Sequence, residues 1–432
     1  MSTLATATPT PVGYVELLRR NRNFRLLWSG EIVSLLGDWF NLIASASLVS
    51  QLTESGFAIG SLFIVRMLAP FIVSPIAGVV ADRYNRRRIL LIADIARAVT
   101  VCGFLLVREP DQVWLLYALT AVQLGISGFF FPTRNAILPD IVSPRELGAA
   151  NAIASATWSV MLALGAALGG LVAGAWGNRP AFIIDALTFV VSAVFILRIR
   201  YDQPPALEDT GRTIGAALQQ YFDGLRYLRR HADILFIALH KAAVSLMVSG
   251  GFQVVQVTIA EQVFVIGRGG GISMGLMFAL VGVGTGVGPI VARVFTGDRD
   301  RPLRIAILIG YFLAALGLAL AAPLWSFGWV LFGTFIRGIG AGTVWVFSTQ
   351  LLLQLLPNRV RGRIFATEFA ILTLMNATGA AAVGSALDTD FTLTTILLWM
   401  AALTILPGIL WLLWLAAGRL LENRDWGLEI RE

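Results

Sequence analysis

Twelve apolar runs, each long enough to cross a bilayer, follow one another along the chain. A helix rises about 1.5 Å per residue, so spanning the hydrocarbon takes about 20 mostly apolar residues. Such runs lie near 26–50, 57–81, 89–107, 112–133, 151–176 and 180–199, and again near 234–264, 271–296, 303–322, 327–354, 363–387 and 393–417. A polar break at 200–233 separates six from six. The composition is 57% hydrophobic and 14% charged, against about 25% charged in soluble proteins, so lipid has to solvate much of the surface. The pattern predicts an all-α membrane protein with twelve transmembrane helices.

The net charge of +7 invites a nucleic-acid reading, but its placement excludes one. Arginines gather at alternate ends of the runs, as membrane insertion dictates. With the N-terminus inside, cytoplasmic segments hold Arg19, Arg20, Arg22 and Arg25, then Arg83 and Arg86 to Arg88. Later cytoplasmic segments hold Arg226, Arg229 and Arg230, then Arg299, Arg301 and Arg304, then Arg359, Arg361 and Arg363. The outward loops hold Arg108, Arg179 and Arg268. The tail carries Arg419, Arg424 and Arg431, which fits an even number of spans with both termini in the cytoplasm. The first run carries Glu31 and Asp38, so it reads as a mature helix and not as a secretory signal.

One cysteine, Cys102, cannot build a disulfide framework, and two histidines, His231 and His240, do not suggest a metal centre. There is no GxxxxGK[ST] loop for a nucleotide, no HExxH and no soluble catalytic domain. The chain reads as no enzyme, with no cofactor and no metal.

Within the central break, Ile214, Leu218, Tyr221, Phe222, Leu225 and Leu228 recur at helical spacing beside Arg226, Arg229 and Arg230. That is an amphipathic helix, lying either on the membrane surface or under the helical bundles. Leu138-Pro139-Asp140 and Leu356-Pro357-Asn358 echo each other at corresponding points of the two halves. Internal repeats of this sort are common in transporters.

Between the second and third runs stands Gly78-Val79-Val80-Ala81-Asp82-Arg83-Tyr84-Asn85-Arg86-Arg87. It resembles the conserved cytoplasmic loop motif of the major facilitator superfamily, Gly-x-x-x-Asp-Arg/Lys-x-Gly-Arg/Lys-Arg/Lys. Asn85 replaces the usual glycine, and asparagine tolerates a left-handed turn better than other side chains. The resemblance implies two six-helix bundles: residues 26–199 and 234–417, flanked by tails 1–25 and 418–432 and joined by the linker 200–233. It also implies a conformational latch at Gly78, Asp82, Arg83, Arg86 and Arg87. Asp82 would tie the loop to neighbouring helix ends, with Arg83 and Arg87 as partners, while Arg86 and Arg88 fix topology.

Gly165-Ala166-Ala167-Leu168-Gly169-Gly170 is similar to the antiporter motif Gly-Pro-x-x-Gly-Gly, with Ala166 in place of proline. Gly165, Gly169 and Gly170 would form a small-residue surface on which helices pack or rock. Gly282, Gly284, Gly286 and Gly288 make a second such face. The family's fourth-span arginine is not evident, and Thr120 stands about where it would be. Phe24-Arg25-Leu26-Leu27-Trp28, Gly37-Asp38, Phe131-Pro132, Pro139, Asn151 and Gly362-Arg363 resemble the third drug:proton antiporter branch, which holds macrolide-efflux and enterobactin-exporter-like proteins.

Charged groups at bilayer depth are costly and mark pathways or internal pairs. Glu31, Ser34, Asp38, Asn41 and Ser45 fall on one helical stripe. Asp38 is the first candidate for a proton-coupling carboxylate, since a partly desolvated carboxylate can exchange protons near neutral pH. Its structural alternative is an ion pair, and Glu31 suits an interfacial role. Asp94 and Arg97, at i,i+3, can pair locally. Arg66 needs an acid, with Asp38 or Asp94 as candidates. Lys241, Ser245, Ser249, Gln253 and Gln256 make a polar stripe in the seventh span. Glu368 is the acid of the second half, and Arg337 is a candidate to pair with it. Tryptophans near span ends read as interface anchors. Phe129, Phe130, Phe131, Trp345 and Phe347 line either a cavity or the lipid boundary.

These residues predict a monomeric secondary transporter of the cell (plasma) inner membrane, with lipid, a small-molecule substrate and protons as partners. Proton-coupled efflux of a hydrophobic or amphiphilic molecule (a drug, macrolide or siderophore-like compound) is the leading expectation. The alternatives are an importer or facilitator on the same fold, and a non-transporting membrane sensor.

Overall fold

The computed structural model describes residues 12–201, 214–297 and 299–429. Among these residues every regular element is helical. A short α1 (Tyr14–Arg20) precedes α2 (Arg22–Thr53), α3 (Gly56–Arg83), α4 (Arg86–Gly103), α5 (Val113–Ile141), α6 (Leu147–Trp176) and α7 (Asn178–Leu197). Then come α8 (Ile214–Arg230), α9 (Ala232–Val244), α10 (Gly251–Thr258), α11 (Gly271–Thr296), α12 (Asp300–Ala321), α13 (Phe327–Leu355), α14 (Asn358–Leu387) and α15 (Leu393–Glu429). Twelve spans among the described residues are long and apolar enough to cross a membrane. Helices are the economical solution in lipid, because each satisfies its own backbone hydrogen bonds. Side chains such as Val294, 80% exposed, and Phe295, 75% exposed, would be unfavourable in water and suit hydrocarbon.

The seventh span is one stretch, Ala232–Val263, interrupted once and ended by a second irregular turn. Ser245–Gly250 and Ile259–Val263 are π-helical turns on either side of α10. Such turns leave local carbonyls without the usual i+4 partner and are frequent at functional sites. Pro70 and Pro75 lie inside α3, each removing an intrahelical hydrogen bond.

The chain forms two compact units. One comprises Met1–Leu48, Ala69–Ala217 and Gly267–Ile272; the other comprises Val49–Leu68, Leu218–Ile266 and Ser273–Glu432. The boundary inside α3 falls one residue before Pro70. The first unit has an apolar core of Leu17, Phe24, Leu27, Phe130 and Ile137 with their neighbours. The second has cores around Ile307, Tyr311, Phe347 and Trp411, and around Phe252, Met277 and Met400.

The predicted amphipathic helix is α8, and it packs on α14. A Cβ on Gly224 would fall 2.1 Å from Thr367 Oγ1 and 2.6 Å from the Arg363 carbonyl, and Leu228 is fully buried. Tyr221 and Leu218 lie outside the described side chains. The echoed tripeptides differ in setting. Leu138-Pro139-Asp140 belongs to the last turn of α5, whereas Leu356 and Pro357 connect α13 to α14.

Candidate functional site

In the first unit, two buried pairs hold charge within helices long and apolar enough to cross a membrane. Arg134 of α5 reaches Glu31 of α2, its Nη2 at 2.6 Å and its Nε at 3.1 Å from the same Oε2. Both side chains are nearly inaccessible. Arg97 donates to Asp94 one turn earlier on α4, and its guanidinium lies between the rings of Phe130 at 4.4 Å and Phe189 at 4.3 Å. The local Asp94–Arg97 pair is therefore formed, and Phe130 serves it instead of facing lipid. Arg66 is half-buried on α3, and Asp38 is half-buried on α2. On the Asp38 stripe, Ser34 donates to the Glu31 carbonyl at 3.2 Å and Ser45 to Asn41 at 3.2 Å.

Two buried charged groups lie outside the sequence expectations. Arg134 lies one residue beyond the expected end of the fourth run, whose helix continues to Ile141. Asp185 of α7 is fully buried and accepts from Gln123 Nε2 at 3.4 Å. Gly37, next to Asp38, makes room for it: a Cβ there would meet Asp185 Oδ1 at 2.4 Å and Thr188 Oγ1 at 2.1 Å. The sequence signal was present in each case, an arginine closing a run and an aspartate inside one.

The loop motif adopts a different geometry from that expected. Asn85 is not left-handed: φ is −61°, and its side chain caps α4 by accepting from the Arg88 amide. Asparagine is a preferred N-cap, so it can terminate the loop without glycine's freedom. Arg86 is more than a topology marker, since its Nη1 lies 2.7 Å from Asp140 and 3.1 Å from the Ala136 carbonyl of α5. Arg87 donates to the Ile196 and Leu197 carbonyls at the end of α7, where a cation suits the helix dipole. Arg83 is exposed, and the side-chain surroundings of Gly78 and Asp82 lie outside the described residues. Tyr201 completes the cluster by donating to Asp140 at 2.9 Å. Burial first, and then that bond, push its phenol up to about 12.

In the second unit, Lys241 of α9 stands 3.0 Å from Glu368 of α14, both buried. The rings of Trp345 and Phe365 each lie 5.4 Å from the ammonium. Glu368 Oε1 has no hydrogen-bond partner among the described residues. The expected Arg337–Glu368 pair does not form: Lys241 takes the acid. Arg337, 3% exposed, donates instead to the Val248 carbonyl at 3.4 Å and lies 4.1 Å from the Phe252 ring. Phe347 is core, and Trp345 is partly exposed beside Lys241. His240 is also structural, with its Nδ1 3.0 Å from the Tyr311 hydroxyl.

The small-residue faces are close-packed. A Cβ on Gly165 would reach 2.6 Å from the Trp39 ring, and one on Gly169 would reach 3.0 Å from Phe40; Gly170 is buried beside them. Gly284 and Gly288 seat α11 directly on the α13 backbone, while Gly286 faces open space. At the start of α3, Asp388 accepts from the Gly56 amide at 2.6 Å, the Phe57 amide at 3.0 Å and the Ser55 hydroxyl at 2.7 Å. Gly56 and Gly60 then run along the α14 backbone at Gly384 and Ala380.

A protein-family model described as Major Facilitator Superfamily matches residues 27–380. The chain belongs to the major facilitator superfamily. It is a multi-pass membrane transporter for a small-molecule substrate, from a family of transporters and not of enzymes. Among similar proteins is the uncharacterized MFS-type transporter YfiS of Bacillus subtilis, 28% identical over 85% of this chain and 87% of that one. The putative bacilysin exporter BacE of Bacillus amyloliquefaciens is 23% identical over 83% and 87%. Macrolide efflux protein A of Streptococcus pyogenes is 21% identical over 81% and 86%. A crystal structure of a mutant nucleoside transporter NupG superposes with a TM-score of 0.72 at 12% identity, covering 90% of this chain and 98% of that one, which establishes the shared fold.

Proposed function

We propose that this transporter is a proton-coupled exporter of a small hydrophobic or amphiphilic molecule of the drug, macrolide or siderophore-like kind. In this reading it resides in the cell membrane with both termini in the cytoplasm and works by alternating access. The observation that carries the reading is the set of buried acid–base pairs at bilayer depth: Glu31–Arg134 and Asp94–Arg97 in one unit, Lys241–Glu368 in the other. Packed apolar residues would hold a static bundle at lower cost than desolvated ions. Ions kept at that depth belong to proton or solute pathways. Distant relatives named as exporter and efflux protein support the outward direction.

Asp38 is proposed as the proton-exchanging carboxylate. It lies between the Glu31 pair and the buried Asn41 on one stripe of α2, and beside Gly37, where a Cβ would fall 2.4 Å from Asp185 Oδ1. Protonation would favour one facing state and substrate the other. The loop at Asp82 to Arg87 is proposed as the latch, with Arg86 and Arg87 already bound to the ends of α5 and α7. Gly165, Gly169 and Gly170 would let α6 shift against α2.

Counterflow in oriented proteoliposomes, with and without an imposed pH gradient, tests this. Gradient-driven movement of a fluorescent lipophilic dye toward the face opposite the termini supports the exporter. Movement that ignores the gradient makes the protein a facilitator, and movement in the other direction an importer.

A further inference from the structure

Each of the other buried cations described at membrane depth has an acid beside it: Arg97 has Asp94, Arg134 has Glu31 and Lys241 has Glu368. Arg337 has none. Its polar contact is a single long bond, 3.4 Å, from Nη1 to the Val248 carbonyl, and its Nε has no acceptor. The Phe252 ring, 4.1 Å away, offers the cation a quadrupole but no hydrogen-bond acceptor. A desolvated, uncompensated guanidinium is costly to keep, and at bilayer depth such a group marks a ligand pathway.

Two further buried polar side chains on the neighbouring turns of α13 and α10 lack partners among the described residues. Thr334, one turn before Arg337 on α13, is fully buried and its hydroxyl has no partner, not even the carbonyl of its own helix. Gln256, one turn after Phe252 on α10, is buried and its Nε2 has no acceptor. Val248, which now receives Arg337, belongs to the π-helical turn Ser245–Gly250. That widened turn releases carbonyls from the helix ladder, so the arginine rests on a neutral acceptor supplied by an irregular backbone. Behind it α12 fixes the α13 backbone: a Cβ on Gly317 would fall 2.2 Å from the Arg337 amide nitrogen. The guanidinium therefore sits on a rigid base, while its present partner sits on an adaptable turn.

We infer that Arg337 is the recognition point for a carboxylate on the transported molecule, which displaces the Val248 carbonyl and takes up the unused donors of Arg337, Thr334 and Gln256. This rests on the proposed transport function and narrows its substrate class to amphiphiles bearing an organic oxyanion. A carboxylate can take two parallel N–H bonds from a guanidinium, where an amide carbonyl offers a neutral acceptor.

The test is binding to the purified full-length protein in detergent, by calorimetry, with matched pairs of probes. N-acetylphenylalanine, phenylacetate and octanoate are compared with their primary amides, and sodium chloride and phosphate are titrated separately. At least one acid should bind about tenfold or more tightly than its amide, the scale of one charge-assisted pair. Arg337→Gln should erase the preference and Arg337→Lys should keep part of it. The wild-type comparison stands even if a variant fails to fold. Equal affinity of acid and amide, no acid binding up to millimolar concentration, a preference that survives Arg337→Gln, or a response to the inorganic anions alone would each overturn the inference. Its failure is separable from failure of the exporter reading. Gradient-driven dye transport without acid preference removes only the Arg337 site, and acid binding without gradient-driven transport removes only the exporter.

Discussion

The ammonium of Lys241 lies 3.0 Å from Glu368 Oε2, linking α9 to α14 through two side chains almost wholly withdrawn from solvent. Breaking such a pair leaves one charge desolvated and unpaired, which costs about 3–5 kcal/mol. Lys241→Met and Glu368→Gln should each lower thermal stability sharply, and the double variant should recover most of the loss. A thermal double-mutant cycle in detergent measures this. Additive losses would show that the two side chains act separately.

Gly37 and Gly286 provide a paired comparison. A methyl at Gly37 meets Asp185 and Thr188 within 2.4 Å, so Gly37→Ala should destabilise by about 1–3 kcal/mol through overpacking. A methyl at Gly286 meets nothing within 4 Å, so Gly286→Ala should be neutral or stabilising by up to about 1 kcal/mol, as expected for alanine replacing glycine within a helix. Melting of the two variants side by side checks the contrast, and equal effects would contradict the packing described.

Asp388 caps α3 from the end of α14, accepting from two amides and a hydroxyl. Asp388→Ala should remove about 1–2 kcal/mol of capping. The effect should appear as faster hydrogen exchange at Gly56 and Phe57, with the rest of α3 little changed. Unchanged protection at those two amides would contradict the cap.

The Tyr201–Asp140 bond needs the neutral phenol. Because the folded-state value is pushed up to about 12, above the ordinary value near 10, its contribution is complete below pH 10 and fades as pH rises through 12. The melting difference between wild type and Tyr201→Phe should therefore be constant from pH 6 to 9. A difference that shrinks inside that window would contradict it.

The spans could be read from the sequence because the bilayer imposes a length and a composition on each of them, and the local pair Asp94–Arg97 because i,i+3 neighbours meet on any helix. Partnerships across helices could not. Sequence grounds offer Arg337 as the partner of Glu368, and only the packing of α9 on α14 awards the acid to Lys241. Arg134 was hidden by ending the fourth run where apolar residues stop, since a helix runs on while its backbone bonds are satisfied. In the sequence Asn85 suggests the backbone freedom of the glycine it replaces, whereas its side chain forms a cap. Asp388 lies in a connecting turn beyond the spans, where charge is ordinary and the helix end it would cap cannot be foreseen.

The proposal turns on Asp38 as the exchangeable acid, and Asp38→Asn in proteoliposomes with an imposed pH gradient tests it most directly. The variant should fold, bind a lipophilic dye and support dye counterflow, while gradient-driven accumulation falls to the level of empty liposomes. Accumulation equal to wild type would contradict proton coupling through this residue.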